Sequence, residues 1–265
     1  MVKRVEKHTK QEPNFIKFLG TAGARFVVMK QLRSSGGIWL RFKSTNIFID
    51  PGPGAIVRVN SAKPKLDPTC LDGIILTHKH LDHSGDVNIM IEAMTGGGLK
   101  KRGVLLVPQD ALGREGVIFS YLTKLIEKVT ILKKDQFLLK DIKFEVPVQN
   151  IHSVQTFGLK FFLDDDIVSF ISDTKYFDQL IDFYKDSTLV VLNVVFYKKR
   201  DESDHLCLDD AIKIIKGIKP RKAIITHFGM TMLQQKPYLL ESKIKSELGR
   251  DVKFAYDGFT QTLPV

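Results

Sequence analysis

The sequence predicts an α/β fold, and three observations carry that reading. Short apolar runs of β type recur along the chain and alternate with amphipathic stretches of helical spacing. Several of those runs stop at one Asp or His and pass directly into loop residues, as buried strands do when their ends hold a site. At 265 residues with 43% hydrophobic content, a single domain with one large core accounts for residues 14–265.

In chain order, strands are expected at 14–19, 37–43, 46–50, 73–77, 103–107, 129–132, 142–148, 157–163, 167–172, 188–194, 222–226 and 252–255. Helices are expected near 85–94, 108–113, 118–128, 176–185, 208–217 and 237–248. The run Asn46-Ile47-Phe48-Ile49 ends at Asp50, before the turn-forming Pro51-Gly52-Pro53-Gly54. Ile74-Ile75-Leu76 leads into Thr77, Asp166–Ser172 ends at Asp173, and Ala223–Thr226 ends at His227, followed by Phe228-Gly229. Ile212, Ile214 and Ile215 mark a helix that closes at Gly217. Residues 1–13, ending at Pro13, read as a mobile basic tail.

The chemistry concentrates in Thr77-His78-Lys79-His80-Leu81-Asp82-His83, where three histidines and one aspartate fall within six residues. Imidazole nitrogen and carboxylate oxygen suit Zn²⁺, Mn²⁺ or Fe²⁺. Side chains two apart on an extended segment share a face, so His78 and His80 can converge on one cation. Asp82 and His83, where the chain turns, can reach a second. His152 sits near another strand boundary, in Gln149-Asn150-Ile151-His152-Ser153. With Asp50, Asp173 and His227, the donors follow the order Asp, His-His-Asp-His, His, Asp, His.

That order and spacing resemble the metallo-β-lactamase superfamily, whose H-x-H-x-D-H motif is accompanied by outlying Asp, His, Asp and His. The resemblance runs from Phe18-Leu19-Gly20-Thr21-Ala22-Gly23 to Asp257-Gly258. It implies an αββα sandwich with its site at one edge. It also implies two divalent metal ions, Zn²⁺ before Mn²⁺ or Fe²⁺. His78, His80 and His152 would hold one; Asp82, His83 and His227 would hold the other; Asp173 would bridge them, and Asp50 would orient a ligand histidine. The implied reaction is hydrolysis by a hydroxide held between the metals, with Asp82 also contacting it. No Gly-x-Ser-x-Gly elbow or Cys/His pair offers a nucleophile in its place.

His205, in Ser203-Asp204-His205-Leu206-Cys207-Leu208, lies 22 residues before His227. A histidine at this place resembles the phosphodiesterase branch, ribonuclease Z and the cyclic-phosphate phosphodiesterases, where it protonates the leaving oxygen or contacts the phosphate. The stretch Ile16–Gly23 followed by Arg33-Ser34-Ser35-Gly36-Gly37 resembles the opening of those enzymes. Ribonuclease Z enzymes usually carry a long arm between the third-motif His and the bridging Asp. Here His152 and Asp173 are 21 residues apart, which leaves no room for it and points to a small phosphodiester, a nucleotide or an RNA end gripped differently. A lactonase or thioester hydrolase uses the same seven ligands but has no need of His205. A non-catalytic nucleic-acid-binding protein has no reason to keep a complete ligand set. A β-lactamase of this fold commonly has Cys where Asp173 stands, and diiron redox domains usually carry Glu where His80 stands.

The balance of 40 Lys+Arg against 30 Asp+Glu, net +10, suits phosphate-bearing substrates. Lys198-Lys199-Arg200 is placed to line a phosphate-binding mouth, and Gly96–Gly103 to form a mobile basic loop near the site. No apolar run approaches ~20 residues, so no membrane span is expected. Met1–His8 lacks an apolar leader core and two cysteines make no disulfide framework, so a cytoplasmic location is expected. Cys207 is expected to pack on the helix that follows it. Relatives are frequently dimers, so a homodimer is a further expectation.

Overall fold

The computed structural model describes residues 13–265, so the tail expected over 1–13 lies, but for Pro13, outside the described residues. Strands β1 (Asn14–Phe18), β2 (Ile38–Phe42), β3 (Thr45–Ile49), β4 (Gly73–Ile75), β5 (Val104–Val107) and β6 (Lys128–Ile131) lie in that order in one sheet. A second sheet is built from β7 (Asp135–Leu139), β8 (Ile142–Val146), β9 (Leu159–Leu163), β10 (Asp166–Ile171), β11 (Leu189–Phe196), β12 (Leu206–Cys207), β13 (Lys222–Thr226) and β14 (Asp251–Phe254). The last strand, β15 (Thr260–Leu263), returns to the first sheet and pairs antiparallel with β1.

Helices cover both outer faces, which gives the four layers of an αββα sandwich. They are α1 (Ala24–Met29), α2 (Ala55–Asn60), α3 (Leu81–Ser84), α4 (Val87–Met94), α5 (Ser120–Thr123), α6 (Leu180–Tyr184), α7 (Leu208–Ile218), α8 (Met230–Gln234) and α9 (Pro237–Leu248).

The strands read as continuous apolar runs because both of their faces are buried. Ile16, Leu40, Ile47, Ile75 and Leu106 point into the core between the sheets, against Phe144, Phe161, Val168 and Val191. Their chain neighbours Phe15, Trp39, Phe48, Ile74 and Leu105 point the other way, under α2 and α4. In the second sheet Val190, Leu192 and Ile225 face outward beneath α7 and α9. The period of two along each strand thus fills three separate cores.

Expected and observed strands agree to within three residues at each end, and α9 and α4 match their expected spans closely. Three expected helices shrink. The one expected over 176–185 is reduced to Leu180–Tyr184. The stretch 108–113 forms only a 3₁₀ turn at Gln109–Ala111, because the Ala111 carbonyl accepts from Val117 and Ile118 N–H and Gly113 takes a left-handed φ of 85°. Helix 118–128 stops at Thr123, where Leu125 N–H turns back to the Leu122 carbonyl before β6 starts. The sequence reading missed α1, α2 and α8, which are five or six residues long and have no side-chain cap. It also missed the polar edge strands β7 and β15.

The parallel pairs β3/β4 and β10/β11/β13 aim their carboxyl ends at one edge of the sandwich. Ligands of α/β sheets bind at such edges. The Gly96–Gly103 loop lies at the opposite edge, contrary to its expected place near the site. Arg102 anchors it there, donating to the Thr69 and Leu71 carbonyls ahead of β4. Among the described residues no helix is long and apolar enough to cross a membrane.

Candidate metal centre

Every donor expected from the sequence arrives at that edge. Asp50 follows β3, His78 and His80 follow β4, and Asp82 and His83 ride on α3. His152 comes from the loop between β8 and β9, Asp173 follows β10, and His227 follows β13. Asp50 and His227 both hold positive φ, 52° and 63°, which turns each side chain back over its strand end. Close backbone packing fixes the frame: a Cβ on Gly23 would sit 2.2 Å from the His227 carbonyl oxygen, and one on Gly52 would sit 2.1 Å from that of Asp82.

Among the described residues four groups of donors form, each with its atoms within 4.8 Å of one another: His78, His80 and His152; His78, His83 and Asp173; Asp82, His83 and His227; and His152, Asp173 and His205. The Nε2 atoms of His83 and His227 are 3.3 Å apart, and His152 Nε2 lies 3.1 Å from His80 Nδ1. Asp173 Oδ2 stands between the groups, 3.9 Å from His78 Nε2, 3.5 Å from His83 Nε2 and 3.4 Å from His227 Nε2. A cleft of about 40 Å³, lined in part by Asp50, Asp82, His83, Asn193 and His227, opens beside them.

Neighbouring acceptors decide which nitrogen of each ring is free. His83 Nδ1–H donates to Asp50 Oδ2 at 2.9 Å, because an ionised carboxylate only accepts. His152 Nδ1–H donates to the Asp204 carbonyl at 3.0 Å. Thr77 Oγ1 donates to Asp50 Oδ2 at 2.7 Å and lies 3.1 Å from His78 Nδ1, which donates to it. His78 Nε2 is then a fully buried ring nitrogen with no hydrogen-bond partner. A buried polar atom without a partner is costly unless something is bound there. That orphaned lone pair, with four more imidazoles and two carboxylates around it, fits a pair of divalent cations.

Electrostatics agree with this assignment. Burial holds His78 well below the usual histidine range, and it also lowers His80 and His152. All three rings therefore keep the lone pair that a cation needs. Burial opposes charge on His83 too, but Asp82, Asp173 and Asp50 outweigh it and raise that ring well above the usual range. Burial would lift Asp173, yet His227, His83 and the hydrogen bond from His205 hold it well below ordinary carboxylates. So much negative charge beside so many rings is the field a cation pair would satisfy.

His205 reaches the centre as well. Its Nε2 is 3.2 Å from Asp173 Oδ2, its Nδ1 is 3.1 Å from Ser203 Oγ, and its ring packs edge-on to those of His152 and Phe196. Arg200 lies over the other contact of that stack, its guanidinium 4.7 Å from the Phe196 ring centroid. Lys198 and Lys199 are exposed beside it. Cys207 packs at the start of α7, as expected, its N–H donating to Asp210. Phe228 is core, stacked on Phe254.

Sequence reasoning missed the groups that hold the ligands. Thr77 donates to Asp50 through both its N–H and its hydroxyl. Asn150 Nδ2 donates to the Ser172 and Asp173 carbonyls. Asn193 Nδ2 donates to Asp173 Oδ1 at 2.8 Å. The signal for Asn193 was present, as the one polar residue in Leu189–Phe196.

Residues 45–228 match the family model described as beta-lactamase superfamily domain. The chain belongs to the metallo-β-lactamase superfamily. It is 32% identical over 224 residues to the uncharacterized protein MJ1374 of Methanocaldococcus jannaschii, covering 81% of this chain and 83% of that one. A shorter stretch of 77 residues is 38% identical to ribonuclease Z of Thermococcus kodakarensis, 29% of this chain and 23% of that enzyme. Among solved structures, the metallo-β-lactamase fold protein YhfI of Bacillus subtilis superposes with a TM-score of 0.75 at 17% identity, covering 95% of this chain and all of that one. A diphosphatase of the PhnP family superposes with a TM-score of 0.70 at 18% identity, covering 94% and 97%. At these identities the superpositions establish the fold shared across the superfamily, whose members are metal-dependent hydrolases.

Proposed function

We propose that this superfamily member is a dinuclear metal-dependent phosphodiesterase acting on a small or nucleotide phosphodiester. The observation that carries the reading is His205, held at the mouth of the donor cluster with its Nε2 3.2 Å from Asp173 Oδ2. Similarity to a ribonuclease Z and to a PhnP-family diphosphatase supports it.

His78, His80 and His152 would hold one cation, Asp82, His83 and His227 the second, and Asp173 would lie between them. Two such cations supply an acidified water and a polarised phosphoryl oxygen. The protein's own part is proton handling and charge placement. Burial works against a proton on His205, but the hydrogen bond to Asp173 prevails and raises its pKa. The ring therefore carries a proton it can give to the departing ester oxygen as the P–O bond breaks. Ser203 Oγ on Nδ1 keeps the ring in register. Arg200, braced on Phe196, sets a positive charge beside the mouth where the anionic diester enters.

The runner-up is a carboxylic-ester or thioester hydrolase, favoured by the exposed Leu81 directly after His80. Hydrolysis of bis(p-nitrophenyl) phosphate, compared with a simple lactone and a thioester by Mn²⁺- or Zn²⁺-loaded protein, separates the two. Chelator-sensitive turnover of the diester is expected; turnover of the lactone or thioester alone would overturn the proposal.

A further inference from the structure

Asp173 has two carboxylate oxygens, and they are used differently. Oδ2 faces His78, His83, His205 and His227 within 3.9 Å. Oδ1 accepts from Asn193 Nδ2 at 2.8 Å. The backbone at Asp173 is fixed separately, by Asn150 holding its carbonyl at 3.1 Å. One amide thus sets where the residue sits, and the other sets the roll of its carboxylate.

The position of Asn193 follows from strand parity. On β11, Leu189 and Val191 enter the core between the sheets, while Val190, Leu192 and Val194 face outward under α7. Asn193 continues the inward series at the point where the core gives way to the donor cluster, paired in register with Thr226, next to His227. An apolar residue would extend the pattern; the amide breaks it at an inward place on β11 whose side chain reaches Asp173.

We infer that Asn193 is a positioning residue for the metal centre: its donation to Oδ1 leaves Oδ2 as the single oxygen presented to both groups of histidines. The inference rests on the metal-centre reading above and adds to it the device that fixes how the shared carboxylate is used. Without the donor, Oδ1 would be a buried carboxylate oxygen lacking a partner, and the group would roll to satisfy it. Partners of this kind, one step behind the ligands, typically change metal affinity by about 10–100-fold when removed.

The test needs no substrate. Chain stripped with chelator is titrated with Mn²⁺ alone, and bound Mn²⁺ per chain, its affinity and the electron paramagnetic resonance spectrum are recorded. Wild type is expected to take up two ions with an exchange-coupled spectrum. Asn193→Leu is expected to bind the weaker ion about 10–100-fold less tightly, with the coupled spectrum altered or replaced by that of isolated Mn²⁺, and with unchanged far-ultraviolet circular dichroism. A purely structural asparagine would not move the coupling. Should Asn193→Leu fail to fold, Asn193→Ala, which removes the donor without adding bulk, decides the matter. Wild-type affinity and spectrum in the folded variant would overturn the inference alone. A wild-type chain that binds no Mn²⁺ would overturn it together with the metal-centre reading.

Discussion

The Nδ1–H of His83 donates to Asp50 Oδ2 at 2.9 Å, and the same oxygen accepts from the Thr77 hydroxyl at 2.7 Å. One carboxylate at the end of β3 therefore orients a donor on α3 and, through Thr77, His78 after β4. Asp50→Ala is expected to weaken metal binding by about 10–100-fold and to cost about 1–3 kcal/mol of stability, since Thr77 also loses its partner. Competition titration with Zn²⁺ and thermal unfolding of the metal-free chain read the two effects separately. Wild-type affinity would remove Asp50 from this role.

Asp173 is buried, with its Oδ2 3.9 Å from His78 Nε2 on one side and 3.4 Å from His227 Nε2 on the other, whereas His80 joins a single donor group. Asp173→Ala should therefore abolish binding of both ions, and His80→Ala should lose one ion and weaken the other. Both variants should keep the sandwich, because their side chains lie beyond the strand ends and outside the three cores. Metal analysis after gel filtration, beside circular dichroism, checks the difference. Two retained ions in Asp173→Ala would refute the shared role.

Much of this arrangement was legible because strand ends leave a mark in sequence. An apolar run that stops at Asp or His before a turn announced Asp50, Asp173 and His227, the clustered His78–His83 announced four more donors, and His152 was marked only by its place near a strand boundary. The inner strands were legible for a related reason: burial on both faces demands unbroken apolar residues. Edge strands such as β15, Thr260–Leu263, bury only alternate residues and so read as loop. Helices of one to two turns, such as α1, take their stability from packing and not from caps or periodicity, and so carry no local signature. The Asn193–Asp173 and Asp204–His152 contacts join residues 20 and 52 apart, which no pattern along the chain encodes.

The two cysteines should differ sharply in reactivity. Cys70 is exposed and Cys207 is buried. Burial pushes the Cys207 thiol up from its ordinary 9.0 to about 11. At pH 8 a disulfide reagent is expected to titrate one thiol quickly and the second only on unfolding. Because the folded state holds the Cys207 proton more tightly, its stabilising contribution is present below pH 9.0 and is lost as pH rises to about 11. Alkaline unfolding over that window should be flatter in Cys207→Ala.

Arg200 tests whether substrate charge is read at the mouth. Its guanidinium is braced on Phe196 and does not touch the metal donors. Arg200→Gln should raise KM for an anionic diester by about 3–10-fold, equivalent to roughly 0.7–1.4 kcal/mol, and leave kcat nearly unchanged. Turnover of a neutral ester should not respond. Equal losses on charged and neutral substrates would assign Arg200 to the local fold.

His205 lies closer to the chemistry, and its removal should separate proton transfer from metal binding. Its ring lies beside Asp173 but is absent from the two groups assigned to the cations, so His205→Ala should retain both ions. Phosphodiester turnover should fall by about 10²–10⁴, the usual contribution of a general acid. The loss should depend on the leaving group: small for p-nitrophenolate, which departs without a proton, and large for an alkoxide such as a ribose oxygen. Comparing kcat for an aryl and an alkyl diester in wild type and His205→Ala measures this directly. An equal loss on both would make His205 a phosphate contact instead, while loss of metal would make it a ligand together with His152 and Asp173, the donor group it joins.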